Sequence, residues 1–255
     1  MVTQEELNEG MWGALDYAYD NPQALFAWID KGADVNARTY HPDCSGSSID
    51  FYQEPSWTLL DVVISRDYFG GSSDDPRPIV SGLLDRGAEV SNAQHFLNKV
   101  VEWECVSRTA NNKLLDDAIA IADINSASGL YDATPLDICL AGAGRSVEVA
   151  RSLIERGAEV NATDKAGDTP LMTTCSMTGK NPLPLATLLI ENGADPLVKN
   201  KSGLTALDIA HIEGDDELAN YLQNVTCEQQ AERLTRGIPK AQQEESEGER
   251  KVRWM

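Results

Sequence analysis

The sequence has few basic residues and no long apolar run. It carries 21 Lys and Arg against 41 Asp and Glu in 255 residues, which gives a formal net charge of −20. So acidic a chain lacks the basic face that nucleic acids and anionic membrane surfaces require, so we expect neither as a partner. No apolar run approaches the ~20 residues that a membrane-spanning helix needs.

The cysteines are also sparse. There are five, an odd number, widely spaced and outside any C-x-x-C pair: Cys44, Cys105, Cys139, Cys175 and Cys227. This spacing argues against a disulfide framework or a zinc ribbon. Residues 1–12 are polar and acidic with no basic stretch before an apolar one, which argues against a secretory signal. We therefore expect reduced thiols and a cytoplasmic location, with the nucleus as the alternative.

Two short phrases recur along the chain. The first, Gly-Ala-Asp/Glu, begins at Gly32, Gly87, Gly157 and Gly193, and a variant without the glycine occupies residues 121–126. The second begins at Thr134, Thr169 and Thr205, with a weaker copy at Thr58. From residue 87 onward the first phrase repeats every 34 to 36 residues.

Each phrase marks one end of a helix. A threonine followed by proline starts a helix, because the hydroxyl caps it and proline needs no N–H at the first position. The glycine supplies the left-handed residue that ends the second helix of each pair. A helix pair of this size cannot bury its apolar faces alone, so neighbouring pairs are expected to stack.

The two phrases, in this order and at this period, resemble the ankyrin repeat, whose signature is T-P-L-H-x-A followed by a second helix and G-A-D-V-N-A. The resemblance covers about residues 11–223 and is clearest over 131–223. It implies an all-α fold, an ankyrin-repeat solenoid of stacked helix-turn-helix units with short turns. We predict that residues 1–225 form six units, the third of them degenerate: about 7–37, 56–91, 94–125, 129–162, 164–198 and 200–223.

Three segments depart from a plain array. Insertions at 38–55 and 69–78 are rich in Gly, Ser, Pro and Asp and enlarge the second unit, so both are predicted to be loops. Residues 226–255 are charged and contain few large apolar residues, so we expect a disordered tail. From Cys227 onward six acidic residues are balanced by six basic ones, so the preceding residues carry the whole net charge of −20.

The resemblance also implies a concave binding face, formed by the turns and the exposed ends of the first helices. Our hypothesis is a monomeric adaptor that binds a protein or peptide there and uses no cofactor. Aligned to the motif, the predicted contact residues are Tyr40, Tyr52, Trp57, Arg66, Tyr131, Lys165, Met177 and Lys201, and the variable positions also include Ser176 and Ile212. Aromatic and flexible apolar side chains suit such a partner, because they supply most of the binding energy.

An enzyme or small-molecule binder is the alternative hypothesis. A solenoid has no deep cavity of its own, so a pocket would need the two insertions. The candidate residues there are His41, Asp50, Tyr52 and Glu54. No recognisable catalytic motif is present, and the three histidines lie in different units, so no metal site is predicted.

Four aspartates stand at the histidine position of the signature, and we interpret them as structural hydrogen-bonding groups. They are Asp16, Asp61, Asp137 and Asp208. One such residue per unit is typical of a scaffold and not of an active site.

Overall fold

The computed structural model describes residues 2–15, 18, 21–38, 57–66, 75–107, 112–129, 132–141, 146–176 and 181–236. These residues form helices joined by turns, with no named strand among them. The prediction of an all-α fold is therefore confirmed. The chain divides into two compact units, Met1–Ser126 and Ala127–Met255.

Each compact unit contains six helices within the described part of the chain. In the first they are α1 (Gln4–Leu15), α2 (Pro22–Asp30), α3 (Leu59–Arg66), α4 (Arg77–Leu84), α5 (Ala93–Ser107) and α6 (Asn112–Ile121). In the second they are α7 (Pro135–Ala141), α8 (Val147–Glu155), α9 (Pro170–Cys175), α10 (Leu183–Glu191), α11 (Ala206–Glu213) and α12 (Asp216–Arg236). Each of the six predicted repeats contains one helix pair.

The helix ends follow the recurring phrases. Thr169 and Thr205 are the N-caps of α9 and α11, and each hydroxyl accepts a hydrogen bond from a backbone N–H of the first turn. At the end of α8, Gly157 has a φ of +98°, and the Ala158 N–H donates to the Leu153 carbonyl at 3.0 Å. This left-handed residue lets the chain reverse after the helix.

The second compact unit is built in two layers. The first helices, α7, α9 and α11, contact one another in sequence order, and the second helices, α8, α10 and α12, do the same. Leucines fill the space between the layers: Leu136, Leu153, Leu171, Leu189 and Leu222 are each fully buried. Burial between neighbouring pairs supplies the core that a single pair lacks.

In the first compact unit, α2 packs against α4 at a glycine. A Cβ at Gly82 would overlap the Phe26 ring, so the ring lies directly on the α4 backbone. The Arg86 guanidinium lies over the Phe26 ring, 4.3 Å from its centroid, and forms an ion pair with Asp30 at 2.9 Å. Glycine is therefore needed at residue 82 for packing.

The helix bounds differ from the predicted segments in two places. Helix α4 begins at Arg77, inside the range assigned to the 69–78 insertion. Helix α12 continues to Arg236, so residues 226–236, which we had assigned to the tail, are helical. They stay helical because the helix packs beyond the last repeat, where Thr226 is buried and Arg233 pairs with Asp195. The 38–55 insertion, apart from Arg38, lies outside the described residues.

We predict that Gly82→Ala destabilises the protein. The added methyl group overlaps Phe26, and overpacking of this kind costs about 1–3 kcal/mol. Gly13→Ala is the matched control, since Gly13 is helical and a Cβ there meets nothing within 4 Å. Alanine at that position gains up to about 1 kcal/mol of helix propensity. Urea denaturation of the two variants tests the prediction, which is wrong if Gly82→Ala is as stable as Gly13→Ala.

Candidate functional site

The first helix of three repeats begins with reciprocal hydrogen bonds between a threonine and an aspartate. In α11 the Asp208 carboxylate accepts from the Thr205 N–H at 2.8 Å and from its hydroxyl at 2.7 Å, and the Asp208 N–H donates to Thr205 Oγ1 at 3.2 Å. The same box joins Thr134 to Asp137 and Thr58 to Asp61. These aspartates cap helices, as a structural role requires, whereas Asp16 lies outside the described residues.

The surroundings give two of these carboxylates opposite pKa shifts. Asp137 is 3% exposed, and its Oδ1 is buried without a hydrogen-bond partner among the described residues. Burial raises the pKa of Asp137, because the charged form loses its hydration. Asp208 is exposed, and the hydrogen bonds from Thr205 hold the pKa of Asp208 below its usual value. In the same capping motif, the pKa of the aspartate is thus raised where the carboxylate is buried and lowered where it is exposed.

In two repeats, an asparagine side chain forms two hydrogen bonds with the backbone of the next recurring phrase, and we call this pair of bonds an asparagine clasp. The Asn161 amide donates to the Gly193 carbonyl at 2.9 Å, and its oxygen accepts from the Asp195 N–H at 2.9 Å. Asn36 makes the same two contacts with the next phrase, to the Gly87 carbonyl and from the Glu89 N–H. Sequence reasoning did not assign this role, although the asparagine recurs in the first phrase. The clasps hold adjacent turns at a fixed spacing.

The turns before α9 and α11 are locked together. The Lys201 N–H donates to the Ala166 carbonyl at 3.0 Å, and Lys201 Nζ donates to the Lys165 carbonyl at 2.6 Å. The Asn200 amide donates to Asp168 at 2.6 Å. Both lysine side chains remain exposed. Of the predicted contact residues, Lys165 and Lys201 are therefore neighbours, and Lys201 also has a structural contact.

The first helices of the second compact unit share one exposed position. It lies seven residues after the capping threonine and is occupied by Ala141, Ser176 and Ile212, which we call the open stripe. Its neighbours at the preceding position are buried in α7 and α9, where they are Leu140 and Cys175. Ile212 is 67% exposed, the most exposed large apolar side chain of this unit among the described residues. The open stripe is thus exposed surface at the C-terminal ends of the first helices.

The outer side of the last repeat is polar. Positions that are buried in α7 and α9, such as Met172 and Cys175, align with Asp208 and His211 in α11, both of them exposed. Polar residues on the last helix pair allow its outer face to be solvated. An apolar face at this position would associate with another copy of the chain. Binding through the stacking edge is therefore disfavoured, and the open stripe is the better candidate.

Most of the other predicted residues lie outside the described part of the chain. These are Tyr40, Tyr52, Tyr131 and Met177, together with His41, Asp50 and Glu54 of the alternative pocket. Trp57 is half-buried two residues before α3, and Arg66 is the last residue of that helix. Trp57 and Arg66 belong to the first compact unit, whereas Lys165 and Lys201 belong to the second.

The buried thiols are unsuited to nucleophilic chemistry. Cys139 and Cys175 are at most 2% exposed, and burial raises the pKa of Cys175 to about 12. A thiol with so high a pKa carries almost no thiolate at neutral pH. Across the described ranges, no three His, Cys, Asp or Glu side chains form a group that could hold a metal ion. No described helix is both long and apolar enough to cross a membrane.

Comparison with known families agrees with this architecture. Residues 136–232 match the family model for ankyrin repeats, in three copies. The matched range covers α7 to α12 almost entirely, and it contains the Thr205–Asp208 capping box, the turns before α9 and α11 and the open stripe. This part of the chain is therefore similar to ankyrin repeats, and the prediction of an all-α ankyrin-repeat solenoid is confirmed.

Two curated proteins illustrate the similarity. The chain is 48% identical over 65 residues to an ankyrin repeat and LEM domain-containing protein 1 homolog from Caenorhabditis elegans. It is 38% identical over 72 residues to a putative ankyrin repeat protein from Rickettsia bellii (strain RML369-C). These alignments cover 26% and 28% of this chain, and 9% and 41% of the respective relatives. The similarity is therefore one of repeats and not of whole proteins.

We predict opposite pH effects for two aspartate-to-asparagine variants. The raised pKa of Asp137 makes the folded state bind its proton more tightly, so the wild type loses stability relative to Asp137→Asn as the pH rises above about 3.9. The lowered pKa of Asp208 makes the wild type gain stability relative to Asp208→Asn as the pH rises toward about 3.9.

Urea denaturation between pH 3 and pH 7 measures both differences, in steps of about 0.5 unit across the titration range. The effect at Asp208 is expected to stay below about 1 kcal/mol, because solvent screens an exposed group. Differences that run in the same direction for both variants would contradict the assigned causes.

Proposed function

We propose that this protein is an adaptor that binds a protein or peptide partner on the concave face of its ankyrin repeats. Ankyrin repeats are in general protein-interaction modules, and this general role underlies the proposal. More specifically, the second compact unit binds the partner through the open stripe and through the turns that carry Lys165 and Lys201. We further propose that it acts as a monomer in the cytoplasm or nucleus.

The exposure of Ile212 carries this proposal. It stands in register with exposed Ser176 and Ala141, and each of these helices buries its inner residues, among them Leu140, Cys175 and Ala210. An apolar side chain that is uncovered at one position of a rigid surface can anchor a partner, and a few such anchors supply most of the energy of an interface. Scaffold contacts support the proposal as well, because the clasps and the locked turns order this surface before a partner arrives.

The chemistry of the surface limits the kind of partner. Ile212 favours an aliphatic or aromatic side chain, and the two lysines at the turns favour carboxylates or carbonyl oxygens. About 10 Å of helix separate Thr205 from Ile212, at 1.5 Å per residue. Lys201 precedes Thr205 by four residues, which adds at most about 14 Å, so a partner segment of up to about seven extended residues spans the distance from Lys201 to Ile212.

We predict that Ile212→Asp weakens binding of peptides selected on the intact wild-type chain from a displayed random library. Loss of the anchor is expected to raise Kd about tenfold or more, which corresponds to about 1.4 kcal/mol. The matched control is Asn220→Asp, which introduces the same charge change at an exposed position of α12. Fluorescence anisotropy with a labelled selected peptide measures both constants.

The proposal fails if the selected peptides bind Ile212→Asp as tightly as they bind Asn220→Asp. Thermal unfolding of both variants accompanies the measurement, so that a loss of folding is distinguished from a loss of contact. The double variant Lys165→Ala, Lys201→Ala then tests whether the turns take part. An unchanged Kd in that variant would restrict the binding surface to the helices.

A further inference from the structure

Helix α1 is longer than most first helices of the repeats. It has 12 residues, whereas α3, α7, α9 and α11 have six to eight. A capping box fixes its beginning: the Thr3 N–H donates to the Glu6 carboxylate at 2.7 Å, and the Glu6 N–H donates to Thr3 Oγ1 at 3.2 Å. We call residues 3–8, which include the first turn of this helix, the strap.

Two side chains of the strap bind the backbone of the first recurring phrase. Gln4 Nε2 donates to the Gly32 carbonyl at 3.0 Å, and Asn8 Oδ1 accepts from the Asp34 N–H at 3.0 Å. The two side chains are also joined to each other, because Gln4 Nε2 donates to Asn8 Oδ1 at 3.1 Å. One donor and one acceptor thus face the first and the third residue of the phrase.

These two contacts are the contacts of an asparagine clasp. In the clasps of Asn36 and Asn161, a single carboxamide donates to the glycine carbonyl of the next phrase and accepts from the N–H two residues further on. At the first phrase, the donor nitrogen belongs to Gln4 and the acceptor oxygen to Asn8. The strap therefore supplies, from within one repeat, what the asparagine of the preceding repeat supplies at the other two phrases.

The strap is held differently from the rest of α1. Residues 3–8 are exposed or half-buried, and the first buried side chain of the helix is that of Met11. Gly10 lies against the Trp28 ring, where an added Cβ would come within 2.8 Å of three ring atoms, and Leu15 is buried as well. Packing therefore fixes the second half of α1, whereas hydrogen bonds at the surface hold the strap.

Hydrogen bonds at the surface open more readily than packed elements. Water competes for exposed donors and acceptors, so each such bond contributes little net stability. Segments with few buried contacts open locally while the remaining fold stays intact. Met11 and Leu15 keep their burial when the first residues of the helix detach, because neither belongs to the strap.

We propose that Gly32 and Asp34 form a carboxamide-binding site and that the strap is a releasable cover for this site. In the closed state, Gln4 and Asn8 occupy the site in place of an asparagine from another repeat. In the open state, the Gly32 carbonyl and the Asp34 N–H are exposed to solvent while α2 and the second half of α1 stay folded. This inference concerns the first compact unit and is independent of the proposed function, which rests on the second.

Amide hydrogen exchange of the full chain, measured by NMR, tests whether the strap is releasable. The Asp34 amide reports on the site, because Asn8 is its acceptor. The reference is the amide of fully buried Val80, which donates to the Pro76 carbonyl at 3.0 Å. We expect Asp34 to exchange at least about tenfold faster than Val80, since local opening requires less free energy than global unfolding.

Low urea concentrations distinguish the two routes of exchange. Local opening exposes little surface, so the Asp34 rate should change by less than about twofold in urea below the unfolding transition, whereas the Val80 rate rises steeply. The same urea dependence for both amides would show that the strap opens only with the whole unit, and this would overturn the proposal.

Two charge-matched variants test the chemistry of the site. Asn8→Asp keeps an acceptor oxygen for the Asp34 N–H, whereas Gln4→Glu turns a carboxylate oxygen toward the Gly32 carbonyl. Both add one negative charge to the strap, and neither changes a sequence neighbour of Asp34. We expect Asp34 exchange to stay within about twofold in Asn8→Asp and to rise about tenfold in Gln4→Glu. Equal rates in the two variants would overturn the assigned donor and acceptor.

Alanine variants provide the control for a general loss of stability. Asn8→Ala should raise Asp34 exchange about tenfold and leave Val80 nearly unchanged. The matched control is Gln94→Ala in α5, which removes a glutamine–asparagine pair of the same spacing, Gln94 Nε2 to Asn98 Oδ1 at 3.4 Å. It should leave Asp34 unchanged. Equal acceleration of Asp34 and Val80 in Asn8→Ala, or no acceleration of Asp34, would overturn the proposal.

Discussion

The second compact unit depends on stacking between neighbouring helix pairs. Its helices α7 to α11 have only six to nine residues, whereas isolated helices shorter than about 12–15 residues are marginal in water. Each becomes stable only when its leucines meet those of the next pair. Capping boxes, asparagine clasps and locked turns all serve this stacking, because they fix the spacing at which the apolar faces meet.

The architecture could be predicted from the sequence because the repeat encodes it locally. A capping threonine, an apolar turn and a closing glycine lie within each repeat, and their period located the helix pairs, including the degenerate third one. Contacts between distant residues were not predictable in this way. Phe26 against Gly82 and Arg233 against Asp195 join residues from different repeats, and no local pattern links them. The composition of residues 226–236 is polar and predicts a tail, whereas the contact of Arg233 with Asp195 holds them in a helix.

The candidate site likewise combines features that the local sequence predicts with contacts that it does not predict. Alignment to the repeat predicted that Lys165, Lys201 and Ile212 lie at exposed positions, since position in the repeat decides exposure. It did not predict that Lys201 would reach the Lys165 carbonyl, because that contact depends on how two turns are spaced. Nor did it show which surface stays uncovered at the end of the array, where Asp208 and His211 replace buried residues. Tyr40, Tyr52, Tyr131 and Met177 remain predictions.

The clasp at Asn36 has an evolutionary consequence. It reaches the Gly87 carbonyl across 51 residues of sequence, whereas the equivalent clasp at Asn161 reaches Gly193 across 32. The same two hydrogen bonds form in both cases, so the docking of adjacent repeats tolerates about 20 additional residues between them, in keeping with the small cost of lengthening a loop. The connection between Asn36 and Gly87 can therefore lengthen without loss of these two hydrogen bonds. It is a natural position for acquiring a new specificity, or for grafting a foreign peptide by design.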